Sequence, residues 1–158
     1  MTDGILLPRQ TPQPARSSGA IRLRHVNGTA IDVFYHVREQ RDYWHAGVKA
    51  RWHNSPFTLA KREFLGREYL IPEDFETYLK ENYGDWRMPK TPFDSVYDTP
   101  NAEIVNEDEM VVHDYRLFLQ GVIYKNEKVI IRYADKLMER GEGAFIPRNI
   151  IQWSGRNN

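Results

Sequence analysis

Ala30-Ile-Asp-Val-Phe34 sets a carboxylate at the centre of an apolar, alternating run. Strand positions of that kind favour β-branched and aromatic side chains. Asp32 is therefore either satisfied by a neighbouring Arg or backbone amide, or is there for chemistry. A carboxylate so placed can ligate a hard cation or accept a proton. Downstream come His36, then Tyr43-Trp-His45, Lys49 and Trp52-His-Asn-Ser-Pro-Phe57. Indole rings can stack on a base or sugar, and a Lys ammonium can meet phosphate. The plainer role for these tryptophans is to staple a loop to a sheet. Strand residues four apart are ~13 Å apart along the strand, so His36 cannot join Asp32 on one ion without a bend. It could meet a substrate phosphate at the strand's end, and the same spacing sets His25 aside as a ligand.

The elements that must position these groups are legible in turn signals. Asn27-Gly28 interrupts two alternating runs, Ile21-Arg-Leu-Arg-His-Val26 and Thr29-Ala-Ile-Asp-Val-Phe-Tyr-His36, and predicts a hairpin with a two-residue loop. That register pairs Val26 with Thr29 and Leu23 with Asp32. It puts Ile21, Leu23, His25, Ala30, Asp32, Phe34 and His36 on one face. Residues 37–57 read as an ordered loop with a helical turn. Gly66 separates a second pair of strands, and Pro72 is expected in the first turn of a helix whose Phe75, Tyr78, Leu79 and Tyr83 share a face. Gly84 stops it. In Tyr83-Gly-Asp-Trp86, Asp85 can bond turn amides and Trp86 can pack back on the helix. Residues 85–106 form a long loop in which Asp94 and Asp98 suit Asx turns. Asn106 and Asn126 are placed to cap two further helices, which together make a helical hairpin ending at Gly141.

The 22 Lys and Arg balance 22 Asp and Glu, which sets aside a broad nucleic-acid surface. There is no cysteine, so disulfides and Cys-ligated zinc are excluded. No apolar run is long enough for a transmembrane segment, and the N-terminus lacks the pattern of a signal peptide. Cytoplasmic residence is the default expectation. No Gly-rich phosphate loop, His-Glu-x-x-His or Gly-x-Ser-x-Gly is present. The class is α+β: a small, mostly antiparallel sheet from two hairpins plus one helix, with a C-terminal helical hairpin. The expected organisation is a tail over 1–19, a partial domain over 20–106, the hairpin over 107–142 packed on it, and a tail over 143–158.

The run from Phe64 to Pro89, with its strand, turn, strand, helix and Gly-Asp-Trp order, resembles the C-terminal half of the LicD/fukutin-like family. Ile31-Asp32-Val33 fits that family's third metal-binding carboxylate. The resemblance implies a nucleotidyltransferase-type fold and transfer of a phospho-alcohol, such as phosphocholine or ribitol phosphate, from a CDP-activated donor to a glycan acceptor. It implies Mg²⁺, with Asp32 as metal ligand or as base toward the acceptor hydroxyl. It also implies substrate contact by His36, Trp44, His45, Lys49, Trp52, Asn54, Asp85 and Trp86. The family's Asp-x-Asp pair has no counterpart upstream of Asp32, where only Asp3 occurs. The expectation is thus a C-terminal piece of a larger enzyme or a short homologue without catalysis, completed if at all by a missing N-terminal segment or companion chain. The alternative is a non-catalytic assembly module using the helical hairpin; a weaker one is nucleotidyl transfer on the same fold.

Overall fold

The structure, a computed structural model, describes residues 19–146. All of the tail expected over 1–19 except Gly19, and most of that over 143–158, lie outside them. The described residues form an α+β fold with three small antiparallel sheets, one short helix and a packed pair of C-terminal helices.

The first hairpin joins β1 (Ala20–Arg24) to β2 (Ala30–Phe34). Its loop holds Val26, Asn27 and Gly28, closed by His25 N–H donating to the Thr29 carbonyl at 2.8 Å. Gly28 takes φ of 92°, the left-handed conformation that completes such a three-residue turn. The extra loop residue corrects the expected register. Arg22 pairs with Asp32 and Leu23 with Ile31. A one-residue shift exchanges faces, so Asp32 keeps Ala30 and Phe34 on its side but loses Ile21 and Leu23. Those two join Ile31 and Val33 on the opposite face.

The central sheet is one that the sequence reading assigned to loops. β3 (Val37–Arg38), β4 (Tyr43–Ala46), β5 (Ala50–Asn54) and β8 (Ala102–Ile104) are bonded in that order. Tyr43-Trp-His-Ala and Ala50-Arg-Trp-His-Asn do alternate, but in aromatic and charged side chains rather than in aliphatic ones. Such chains suit strands with one face packed and one face wet. β6 (Leu59–Phe64) and β7 (Arg67–Pro72) form the second hairpin around Leu65 and Gly66, both at positive φ, as a type I′ turn requires. Pro72 ends β7 instead of opening the helix. The N-cap is Asp74, whose carboxylate accepts from Thr77 N–H at 3.1 Å, and α1 runs Phe75–Tyr83 before Gly84.

Asn106 caps α2 (Glu107–Ile123) and Asn126 caps α3 (Glu127–Glu139), each accepting from the backbone amide three residues on. Their shared core is Phe118, Ile130, Tyr133, Ala134 and Leu137, joined by Ile146 after a 3-10 turn at Gly143–Phe145. A second cluster of Ala50, Val96 and Met110 ties β5 to α2. Phe118 is 5% exposed at the centre of this core.

Two substitutions test this packing through urea unfolding midpoints. Phe118→Ala is expected to cost about 3–5 kcal/mol, as for a core aromatic. A Cβ at Gly121 would lie 3.0 Å from Val129 and 3.1 Å from the Ile130 backbone nitrogen. Gly121→Ala should therefore lose about 1–3 kcal/mol to overpacking, outweighing the ~1 kcal/mol gained in helix propensity.

Candidate functional site

Strand alternation divides the residues that the sequence groups together. His45 pairs with Trp52 and Tyr43 with Asn54 on one face of the central sheet, while Trp44 pairs with His53 on the other. On the first face Trp52 stacks on His45, with centroids 5.1 Å apart and planes 11° apart. The Trp52 indole donates to the Ser95 carbonyl at 2.8 Å. His36 lies 4.9 Å from His45 and Phe34 lies equally near it. Together with Tyr78, Asn82 and Tyr83 of α1 and the 93–99 segment, they line a cleft of about 270 Å³.

Three of the expected ligand-contacting residues, His36, His45 and Trp52, thus meet in one cleft. Phe34 reaches it from the strand face that also carries Asp32, one same-side step of ~6.5–7 Å away. Asp32 itself is exposed. Among the described residues, no Lys or Arg lines the cleft. Burial lowers the His45 pKa to about 4, with His36 adding a smaller push. Burial also lowers His36, helped by Arg38. Both imidazoles are therefore neutral at physiological pH. Their Nδ1 atoms are buried without a hydrogen-bond partner.

Lys49 is directed elsewhere. Its ammonium lies 2.7 Å from His113 Nδ1, and His113 Nε2 lies 2.7 Å from Asp94. An ammonium must donate, so Nδ1 accepts and Nε2–H donates to the carboxylate. Asp94 also accepts from Tyr133 O–H at 2.6 Å and from the amides of Val96 and Tyr97. Burial alone would raise the Asp94 pKa, but these donors hold it well below the carboxylate range. A second buried carboxylate, Asp114, accepts from Tyr97 O–H at 2.7 Å and from Arg140 at 3.1 Å. The Asx-turn expectation holds at Asp94, whose carboxylate accepts from the Val96 amide two residues on at 2.8 Å, while Asp98 closes the loop by accepting from the Asp94 amide at 2.7 Å. The helical partners of Asp94 were not foreseen. Their signal was present in His113-Asp114, two polar residues on the inward stripe between Met110 and Phe118.

The remaining expected residues stand apart from the cleft. Buried Asn54 donates to Glu81 of α1 at 3.3 Å. Trp44 holds Arg51 over its ring at 4.3 Å and donates to Glu39. Asp85 and Trp86 line a separate hollow against Glu76 and Lys80 of α1. Among the described residues, no group of three or more His, Cys, Asp or Glu side chains could hold a metal ion. Asp32 therefore does not belong to a complete Mg²⁺ site built from these residues. No helix among them is long and apolar enough to cross a membrane.

No protein-family model matches the chain, and no solved structure matches it. Part of the chain is similar to a mouse protein described as ribitol-5-phosphate transferase FKTN. The two are 27% identical over 84 residues, covering 49% of this chain and 18% of that protein. This is a distant, partial similarity to a LicD/fukutin-family transferase, and the match spans less than a fifth of the relative's length.

Two measurements check the electrostatics. The His45 ring should titrate near 4 by NMR. Its folded pKa lies below the unfolded value, so its contribution to stability is full above about 6.5 and is lost as pH falls toward about 4. A midpoint above 6 would mean that the ring is solvated. Asp94→Asn should cost about 3–5 kcal/mol, because two buried donors then face an amide that cannot accept from both as a carboxylate does.

Proposed function

We propose that this chain is part of a LicD-like transferase that moves a phospho-alcohol, ribitol phosphate or phosphocholine in kind, from a CDP-activated donor to a glycan acceptor. The observation that carries the reading is the cleft that gathers His36, His45 and Trp52 beside the strand bearing Asp32. The partial similarity to the mouse ribitol-5-phosphate transferase supports it. In this reading the aromatic walls hold the uncharged part of the donor or the acceptor. His36 and His45, being neutral, orient hydroxyl or carbonyl groups by hydrogen bonding and do not offset phosphate charge. Asp32 acts at the edge of the cleft, as base toward the acceptor hydroxyl or as one ligand of a Mg²⁺ that stabilises pyrophosphate charge. Further carboxylates for that ion would come from a segment or companion chain outside residues 19–146. We place this activity in the cytoplasm, where activated nucleotide donors are made.

A second reading, a non-catalytic assembly module, has one observation in its favour. Val112, Leu119, Ile123 and Tyr124 are exposed on the outer side of α2, between 54% and 73%. Under this reading, Leu119→Lys with Ile123→Lys would abolish self-association or partner binding while leaving nucleotide binding intact.

Calorimetric titration with CDP-ribitol, CDP-choline and CMP, with and without Mg²⁺, decides between them. The transferase reading expects saturable binding, weakened about fivefold by His36→Ala for the loss of a ~1 kcal/mol hydrogen bond. It expects no turnover from these 158 residues alone. Absence of binding by all three nucleotides would sink the reading; turnover by this chain alone would show that its metal ligands are complete.

A further inference from the structure

The second hairpin, β6–β7, projects from the body of the fold. Every residue from Lys61 to Leu70 is exposed, so about 15 Å of two-stranded ribbon stands clear of the packed part, at ~3.3 Å per residue. At its tip Leu65 is 86% exposed and holds φ of 51°, followed by Gly66 at 73°. A side chain with a Cβ is disfavoured in that left-handed conformation, and leucine has no polar atom with which to offset the strain as Asn or Asp does. Leu65 thus serves neither the turn, nor a core, nor solubility. Strain held at an exposed apolar position points to a use outside the fold.

The register sorts the ribbon's charges by face. Arg62 pairs with Tyr69 and Phe64 with Arg67, so these four side chains share one side. Phe64 meets Tyr69 there with centroids 6.4 Å apart, and the two rings are 65% and 47% exposed. Glu63 pairs with Glu68 and Lys61 with Leu70 on the other side. Lys61 bridges Glu68 at 2.9 Å, which leaves the charge of Glu63 uncompensated. Among the described residues, no carboxylate pairs with Arg62 or Arg67. One side of the ribbon is therefore cationic and aromatic, the other is net negative, and an apolar tip joins them.

We infer that this ribbon docks on an anionic phospholipid surface, with Phe64 and Leu65 at the acyl boundary and Arg62 and Arg67 at the lipid phosphates. Inserting the first ~5–10 Å of the ribbon takes both apolar tip side chains out of water. Insertion stays shallow because the ribbon's outer edges still need water for their backbone amides. The arginine stems lie along the apolar surface while their guanidiniums stay at headgroup level, where Tyr69 also keeps its hydroxyl wet. Glu63 and Glu68 then face away from the negative surface, which fixes the side that turns down. A polyanion in solution, nucleic acid or acidic peptide, would use the two arginines but leaves Leu65 without a role. The inference stands apart from the transferase reading, since no residue of the cleft takes part.

The test is co-sedimentation of the full chain with vesicles of phosphatidylcholine alone and of phosphatidylcholine with about one-third phosphatidylserine. Half or more of the chain should pellet with the anionic vesicles at about 1 mM accessible lipid, as for a single short anchor, and little with the neutral ones. Salt at about 0.5 M should weaken the binding several-fold by screening. Arg62→Gln with Arg67→Gln should weaken it about tenfold or more. Leu65→Asn gives the turn a residue it prefers, so it should leave the urea midpoint unchanged or higher. The same change should weaken vesicle binding about three- to tenfold. Pelleting that Leu65→Asn leaves unchanged would reduce the ribbon to a general polyanion site and overturn the inference. So would equal pelleting with neutral vesicles, or none with either at about 5 mM lipid, well above the expected midpoint.

Discussion

The structure depends on how one buried carboxylate is satisfied. Asp94 sits in a loop, is 4% exposed, and accepts from two helices and from its own following amides. Taking a carboxylate out of water is costly unless its acceptor sites are filled. The loop, α2, α3 and the β4–β5 turn must therefore agree in position, because His113, Tyr133 and Lys49 come from three of those elements. Once that loop is fixed, Ser95 receives the Trp52 indole and Phe93 and Thr99 take their places in the cleft. A polar network remote from the cleft's mouth thus sets one of its walls.

The two hollows on either side of Tyr78 differ in kind because their linings differ in charge. The inner cleft carries two imidazoles that burial keeps neutral and, among the described residues, no charged side chain in its lining. The outer hollow, between the end of β5 and the start of α1, carries three carboxylates, Glu73, Asp74 and Glu81, whose hydrogen-bond donors among the described residues are neutral. Rings are common to both: His36 packs near Phe57 and Tyr78, 6.0 and 6.4 Å away.

Exposed apolar surface has a similar logic. In the first hairpin the added loop residue turns Ile21, Leu23, Ile31 and Val33 to one side, where each is 44–59% exposed. The polar side, with Asp32, runs toward the cleft through Phe34. The helical hairpin does the opposite with its main stripe, burying Phe118, Ile130, Tyr133 and Leu137 against each other. Short connections between two amphipathic helices favour that self-satisfied arrangement.

The sequence by itself determined the local signals. Asn106 and Asn126 as caps, Gly84 and Gly141 as helix stops, the Leu65-Gly66 turn and the 3.6-residue stripes all follow from short-range sterics and hydrogen bonding, which the chain carries with it. It also brought His36, His45 and Trp52 forward as neighbours in chemistry. What only the tertiary structure decided was pairing. Whether Asn27-Gly28 makes a two- or three-residue loop turns on a single residue of register, and that residue put Ile21 and Leu23 on the face opposite Asp32. The central sheet depends on β5 finding β8, from Ala102 onward, and its aromatic strands carry no aliphatic alternation to announce that partner. Lys49 and Asp94 meet only through His113, across separations of 64 and 19 residues. Long-range hydrogen bonds of that kind leave no periodic trace, because they are made by single residues whose partners the chain brings together only on folding.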